Sequence, residues 1–319
     1  MGLKLKVSTN LAEFGAGSRL LKVIIIGVLL SVSYSSSGKE NSTHWPQRVL
    51  ITNDNGIDDI KLIKLAQAFS QVAETYVVAP ADNRSGTGHR VSIDPNKPII
   101  TRRVNIGENI TAYALEGYPA DCVIVGLAAI MKDKLPDLVI SGINGGANEG
   151  DAWLGSGTIG AARMAAYAGL PSIAVSGLRT DRPTDIKVIV DWVVKFSHSD
   201  IVKSLKPKEF LTVSVPRINA EQIKGVKLTA RQGVNTYPIF SAKHQDNTQA
   251  WSIVGLATYP EDDSESNSQS NSQSDVEWFN QGYIAVVPMV ADENNYPFLL
   301  KLRDQQVDFP KLDLTKGKQ

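Results

Sequence analysis

From Arg48 onward, apolar positions follow two alternating rhythms. RVLIT (48–52), TYVVAP (75–80), PDLVIS (136–141) and PSIAVS (171–176) are short, β-branched and apolar at nearly every position. Such runs read as strands buried on both faces. Between them lie longer stretches with apolar residues at helical spacing. In IKLIKLAQAFSQV (60–72), Leu62, Leu65, Ala66 and Phe69 share one face. ADCVIVGLAAIMK (120–132) follows Pro119, which suits a first helical position. TIGAARMAAYAG (158–169) stops at Gly169, and DIKVIVDWVVKFSH (185–198) is amphipathic. Repeated βαβ units of this kind predict an α/β fold, a doubly wound, Rossmann-like parallel sheet with helices on both faces. After about Phe210 the rhythm changes. FLTVSVP, GVKLTARQG, QAWSIVGLA and GYIAVVPM read as strands without full helices between them, so a C-terminal antiparallel hairpin region is expected. Residues 262–275, DDSESNSQSNSQSD, have nothing apolar to bury and are expected to be a disordered surface insert.

The N-terminus follows a different pattern. Arg19 and Lys22 precede ten mostly apolar residues, Val23 to Val32, and a small-polar run. That core is too short to span a bilayer and has the shape of a signal peptide, with Ser33 and Ser35 small enough for cleavage after Ser35. The expected layout is a signal peptide over 1–35, a linker over 36–47, one α/β domain over 48–310 and a tail over 311–319. Cleavage would make the protein exported or periplasmic, without stable membrane insertion after processing. The alternative is an uncleaved anchor or a cytoplasmic protein.

Composition narrows the chemistry. The formal net charge is zero, which gives no reason to expect a nucleic-acid polymer as partner. Cys122 is the lone cysteine, which excludes an internal disulfide framework and a cysteine-rich zinc site. The four histidines, His44, His89, His198 and His244, show no zincin-type spacing. Any metal would be held by oxygen, which points to Mg²⁺, Mn²⁺ or Ca²⁺.

Three loops that leave strands are rich in Asn, Asp, Gly and Ser: TNDNG (52–56), ADNRSGTGH (81–89) and GINGGANEGDAWLGSGT (142–158). In a doubly wound sheet they converge on the carboxyl ends of the strands, where ligands bind. Asp54 offers a carboxylate there, and Asn55, Ser85 and Asn144 offer neutral oxygens. Together they could fill part of an octahedral hard-cation site. Ser156, Gly157 and Thr158 open a helix, where backbone N–H groups and hydroxyls can cradle an anion. Ser156 and Thr158 could equally be simple helix caps. Asp58 or Asp59 is expected to cap the helix from residue 60, the alternative being a further carboxylate for the site, and Asp121 to support the helix start in which it sits. His89 is a possible proton donor, and Arg84 could meet a phosphate.

The quoted loops, together with GYPADCV, the segment from PDLVIS through PSIAVS and the late GYIAVVPM, resemble the SurE family of metal-dependent nucleoside monophosphate phosphatases. The resemblance is close over residues 48–176 and looser beyond. It implies that Asp54, Ser85 and Asn144 are metal ligands, with Asp54 and Asn144 catalytic, and that 156–158 bind phosphate. It also implies one divalent metal ion per subunit, a nucleoside 5′- or 3′-monophosphate as substrate, and a homodimer or homotetramer that exchanges the C-terminal hairpin region. The rival readings are a broad-specificity acid phosphatase, an exopolyphosphatase on the same fold, or a non-catalytic phosphate-ligand binder.

The sequence departs from the family pattern in three places. Asn55 stands where a second Asp is usual, Ile60 and Lys61 stand where Pro-Gly is usual, and Tyr118 stands where Thr is usual. With Asn55 the expected ligand set carries one negative charge instead of two. Calorimetric titration with Mn²⁺ should therefore show tighter binding by Asn55→Asp than by wild type; equal affinities would refute this.

Overall fold

The computed structural model describes residues 45–92, 94, 96–233, 236–245, 248–258 and 273–305. The expected signal peptide, nearly all of the linker, the first part of the 262–275 insert and the C-terminal tail lie outside the described residues.

In chain order the elements begin with β1 (Arg48–Thr52), α1 (Ile60–Phe69), β2 (Glu74–Pro80), β3 (Thr101–Val104) and β4 (Ile110–Leu115). They continue with α2 (Pro119–Val125), β5 (Leu138–Asn144), α3 (Gly157–Tyr167), β6 (Ser172–Ser176), α4 (Pro183–Ser197) and α5 (Asp200–Lys203). Last come β7 (Glu209–Ser214), β8 (Val226–Leu228), β9 (Thr236–Gln245), β10 (Thr248–Thr258), α6 (Asp275–Asn280), β11 (Ile284–Val290) and α7 (Tyr296–Asp304). The main sheet has the order β3-β4-β2-β1-β5-β6-β7-β11-β8. The run from β4 to β7 is parallel. β3 joins one edge antiparallel to β4, and β11 runs antiparallel to β7.

The strand residues alternate between two apolar layers. Val49, Ile51, Val77, Ile140 and Val175 pack with Leu62, Leu65 and Phe69 of α1 and with Ile189 and Val193 of α4. Leu50, Val78 and Val139 face the other way, onto Cys122 and Val123 of α2 and Ala161 and Ala165 of α3. This two-sided burial is why the central strands are apolar throughout. It also buries Cys122, whose thiol is pushed up in pKa by desolvation.

Several elements differ from expectation. The helix expected over 120–132 ends at Val125 and continues as a wider π turn over Gly126–Ile130. β3 and β4 fall in a stretch given no element from sequence. β3, TRRV, is a solvent-facing edge strand, so it carries little apolar signal. α7 was not expected either; it buries none of its residues, so it lacks a core-facing stripe. The expected C-terminal antiparallel hairpin region is present, but it does not take in every C-terminal strand. β7, β11 and β8 extend the main sheet, and only β9 and β10 form a separate antiparallel hairpin. The physical reason is that β7 and β11 carry enough apolar residues to be buried in the sheet, whereas the hairpin exposes Phe240, Trp251, Ile253 and Val254. The end of the expected insert is ordered: Ser274 caps α6, and Asp275 is buried.

Strand order places the site. From β1 the chain moves outward to β2 and β4, then returns to lay β5 on the other side of β1. The gap beyond the carboxyl ends of β1 and β5 is the topological switch point, where α/β sheets bind ligands. β5 leads into it at Gly142, which has φ +140° and where an added Cβ would stand 2.4 Å from the Val175 carbonyl oxygen. Only glycine lets β5 lie this close to β6. Gly142→Ala should lower folding stability by about 3 kcal/mol, read from urea denaturation; wild-type stability would contradict this packing.

Candidate active site

The oxygen-rich stretch after β1 divides its residues among three tasks. Asn53 closes the turn: its Nδ2 donates to the Gly56 carbonyl at 2.8 Å, and its Oδ1 accepts from the Gly56 N–H at 3.2 Å. Asp59 caps α1, accepting from the Lys61 and Leu62 N–H groups. Asp54 and Asn55 are left to face a cavity. Turn chemistry therefore accounts for part of the stretch but not for these two residues.

The cavity has a volume of about 350 Å³. Asp54, Asn55, Ser85, Asn144 and Ser156 all line it, so the three loops do converge. Backbone bonds hold the loops together. The Arg84 N–H donates to the Asp54 carbonyl at 2.7 Å, and the Gly88 N–H donates to the Gly155 carbonyl at 2.9 Å. Gly160 lets the second loop rest on α3, since a Cβ there would sit 2.3 Å from the Gly88 carbonyl oxygen.

Asp54 is 2 % exposed. Its Oδ1 accepts from the Thr158 hydroxyl at 2.7 Å, and its Oδ2 accepts from the Thr158 N–H at 3.2 Å. Burial pushes its pKa above the ordinary carboxylate value, and the two Thr158 bonds act against that shift. Among the described residues no Lys, Arg or His forms an ion pair with Asp54. The Asn55 Oδ1 is buried with no hydrogen-bond partner. The Asn144 Nδ2 donates to the Gly146 carbonyl at 2.9 Å, so its amide oxygen stays available as an acceptor. A buried carboxylate without a counter-charge, beside an orphaned amide oxygen, fits a hard divalent cation. Among the described residues no cluster of three or more His, Cys, Asp or Glu could hold a metal. The donors are thus one carboxylate with neutral oxygens, which suits Mg²⁺, Mn²⁺ or Ca²⁺ better than zinc.

The start of α3 works differently from a bare anion cradle. Ser156 caps the helix by accepting from the Ile159 N–H at 3.1 Å, while still lining the cavity. The Thr158 hydroxyl is spent on Asp54. Gly157 lies at the first helical position, where the N–H has no intrahelical acceptor. A Cβ there would approach the Asp54 Cβ to 2.9 Å, so glycine permits the Asp54–helix contact. His89 and Arg84 are not among the residues that line the cavity. His89 has its pKa lowered by burial and by the Arg163 charge. Arg84 lies 5.8 Å from the Tyr118 ring centroid and pairs with Asp82 at 3.8 Å. Asp121 does support its helix start, accepting from the Tyr118 N–H and from Ser92. The cavity wall also includes Gly146, Ala147, Asn148 and Ala152. Their loop was expected at the site, but nothing in its Gly- and Asn-rich sequence singled these residues out.

Comparison with known proteins decides the relationship. The model of the family described as survival protein SurE matches residues 49–238. The chain belongs to the SurE family. It is 36% identical over 263 residues to the 5′-nucleotidase SurE of Petrotoga mobilis, covering 80% of this chain and 97% of that protein. It is 33% identical over 262 residues to the 5′-nucleotidase SurE of Haemophilus influenzae, covering 81% and 96%. The crystal structure of the SurE protein from Aquifex aeolicus is similar at a TM-score of 0.65 and 27% identity, covering 82% of this chain and all of that one.

If this SurE-family site holds a cation at Asp54, a proton would compete with it for the carboxylate. A carboxyl whose folded pKa is raised contributes stability that is fully present below its ordinary value and is lost as the pH rises through the folded value. Mn²⁺ should therefore raise the melting temperature more at about pH 8 than at about pH 5. Asp54→Ala should abolish the shift. An equal shift at both pH values would contradict the assignment.

Proposed function

We propose that this chain is a divalent-metal-dependent phosphomonoesterase that hydrolyses nucleoside 5′- or 3′-monophosphates. The observation that carries the reading is the convergence of Asp54, Asn55, Ser85 and Asn144 on one cavity beside the start of α3. The 5′-nucleotidase names of its relatives support it.

Asp54, Asn55, Ser85 and Asn144 would hold the cation. When bound, the cation would polarise the phosphoryl group and acidify water. Thr158 fixes both oxygens of Asp54 and favours its ionised form. Ser156 and the Gly157 N–H would receive phosphoryl oxygens, helped by the positive end of the α3 dipole. Asn144 would stabilise charge that develops on the phosphoryl group. In the net reaction the phosphoryl group passes from the ribose oxygen to water, and the nucleoside leaves with the proton.

The SurE-type homodimer or homotetramer is part of the same reading. It is supported by the apolar face of the β9–β10 hairpin, where Phe240, Trp251, Ile253 and Val254 are each at least half exposed. Among the described residues no helix is long and apolar enough to cross a membrane. Export after cleavage near Ser35 is the corresponding proposal for location.

Nucleoside monophosphates, polyphosphate and a generic aryl phosphate should be assayed with and without EDTA. We expect nucleotide hydrolysis that EDTA abolishes and Mn²⁺ restores. Asp54→Ala should lower the rate by about 10³-fold or more. Preferred cleavage of polyphosphate would move the reading to an exopolyphosphatase. Nucleotide binding with no turnover would make the chain a binder.

A further inference from the structure

Between β8 and α6 the chain makes a long excursion through the hairpin, and both ends of it return to one buried ion pair. Arg231 lies just after β8, and Asp275 opens α6. Their side chains are 12% and 2% exposed, and the Arg231 Nη1 stands 4.0 Å from the Asp275 Oδ2. The guanidinium does more than face this carboxylate. Nη1 donates to the Asn148 carbonyl at 3.1 Å and to the Gly150 carbonyl at 2.7 Å. Nη2 donates to the Thr212 hydroxyl on β7 at 3.3 Å. Asp275 grips the same loop, its Oδ2 accepting from the Gly150 N–H at 3.0 Å. Its Oδ1 accepts from the Gln232 N–H at 2.8 Å and so ties the Arg231 segment to α6. The Arg231 guanidinium carbon also lies 5.5 Å from the Trp153 ring centroid.

Every loop partner here belongs to the segment between Asn144 and Ser156, which forms one wall of the cavity. Buried ion pairs contribute little net stability, because desolvation offsets their attraction. What this pair supplies is geometry. A planar fork can meet two carbonyls and a hydroxyl at once, which a lysine ammonium on a flexible stem does not reproduce. Of the four proposed cation ligands, Asp54, Asn55 and Ser85 sit on the other two loops and Asn144 ends β5, and no hydrogen bond or ion pair of Arg231 or Asp275 reaches any of them.

We propose that Arg231, oriented by Asp275, is a positioning residue that sets the substrate-facing wall at Gly146–Asn148 without contributing to the cation site. The proposal rests on the phosphatase reading above.

Arg231→Lys keeps the charge opposite Asp275 and removes the fork; Asp275→Asn keeps the fork and weakens its anchor. The full chain carrying each change should melt as one cooperative unit. KM for a nucleoside monophosphate should rise by about tenfold to a hundredfold in Arg231→Lys and by less in Asp275→Asn. Calorimetric Mn²⁺ affinity should fall far less than KM rises, because Asn144 is the one proposed ligand bonded to the wall, through Gly146. Amides of residues 145–156 should exchange hydrogen faster, while those of β1 and α1 stay unchanged. Wild-type KM in a folded Arg231→Lys protein would overturn the proposal. So would a loss of Mn²⁺ affinity parallel to the loss in KM, which would mark a general loosening of the fold. A wild-type protein without phosphatase activity would overturn the reading of function instead. The exchange comparison would then still decide the positioning role of Arg231, and unchanged exchange at 145–156 would sink it.

Discussion

The contact between Asp54 and Thr158 is the constraint around which the site is arranged. A carboxylate held almost entirely out of water is expensive unless something compensates its charge. Here two hydrogen bonds from the first turn of α3 supply part of that compensation, and no basic side chain among the described residues supplies the rest. The arrangement is stable only because α3 begins where β1 ends. The contact at Gly157 shows how tight that approach is: a single methyl group would push the helix off the carboxylate. The same shortage of compensation leaves Asp54 suited to a cation.

The rest of the fold serves this meeting of helix and strand. The reversal of strand order between β1 and β5 opens the gap, and the two-sided apolar sheet makes its floor rigid. Close approaches at Gly142 and Gly160 bring the other two loops inward. Backbone bonds from the second loop to the first and third, with the Asp54–Thr158 contact between the first and third, then hold the three loops together. That leaves the side-chain oxygens of Asn55, Ser85 and Asn144 free of structural duty.

The C-terminal part of the chain is tied into the same construction. β7 and β11 widen the sheet, and the Arg231–Asp275 pair runs from there to the loop that walls the cavity. The hairpin follows Arg231 in the chain and forms a two-stranded sheet of its own. Its apolar residues Phe240, Trp251, Ile253 and Val254 stay exposed on the described chain.

Much of this was legible in the order of residues. Strands apolar at every position required helices on both faces of a parallel sheet, and that topology alone sends the three loops to one edge. The residue types in those loops named an oxygen site and excluded a sulfur one. Local chemistry also decided the caps, since Asp59 and Ser156 bond within three residues of themselves. Tertiary structure decided whatever depends on residues far apart in the chain. Thr158 is spent on Asp54, 104 positions away. Arg231 reaches Asn148 and Gly150 across more than eighty. β3 and α7 lack a buried stripe and so left no periodic trace. Pattern and spacing carry information about neighbours and faces; a hydrogen bond between distant segments exists only once packing has set the distance between them.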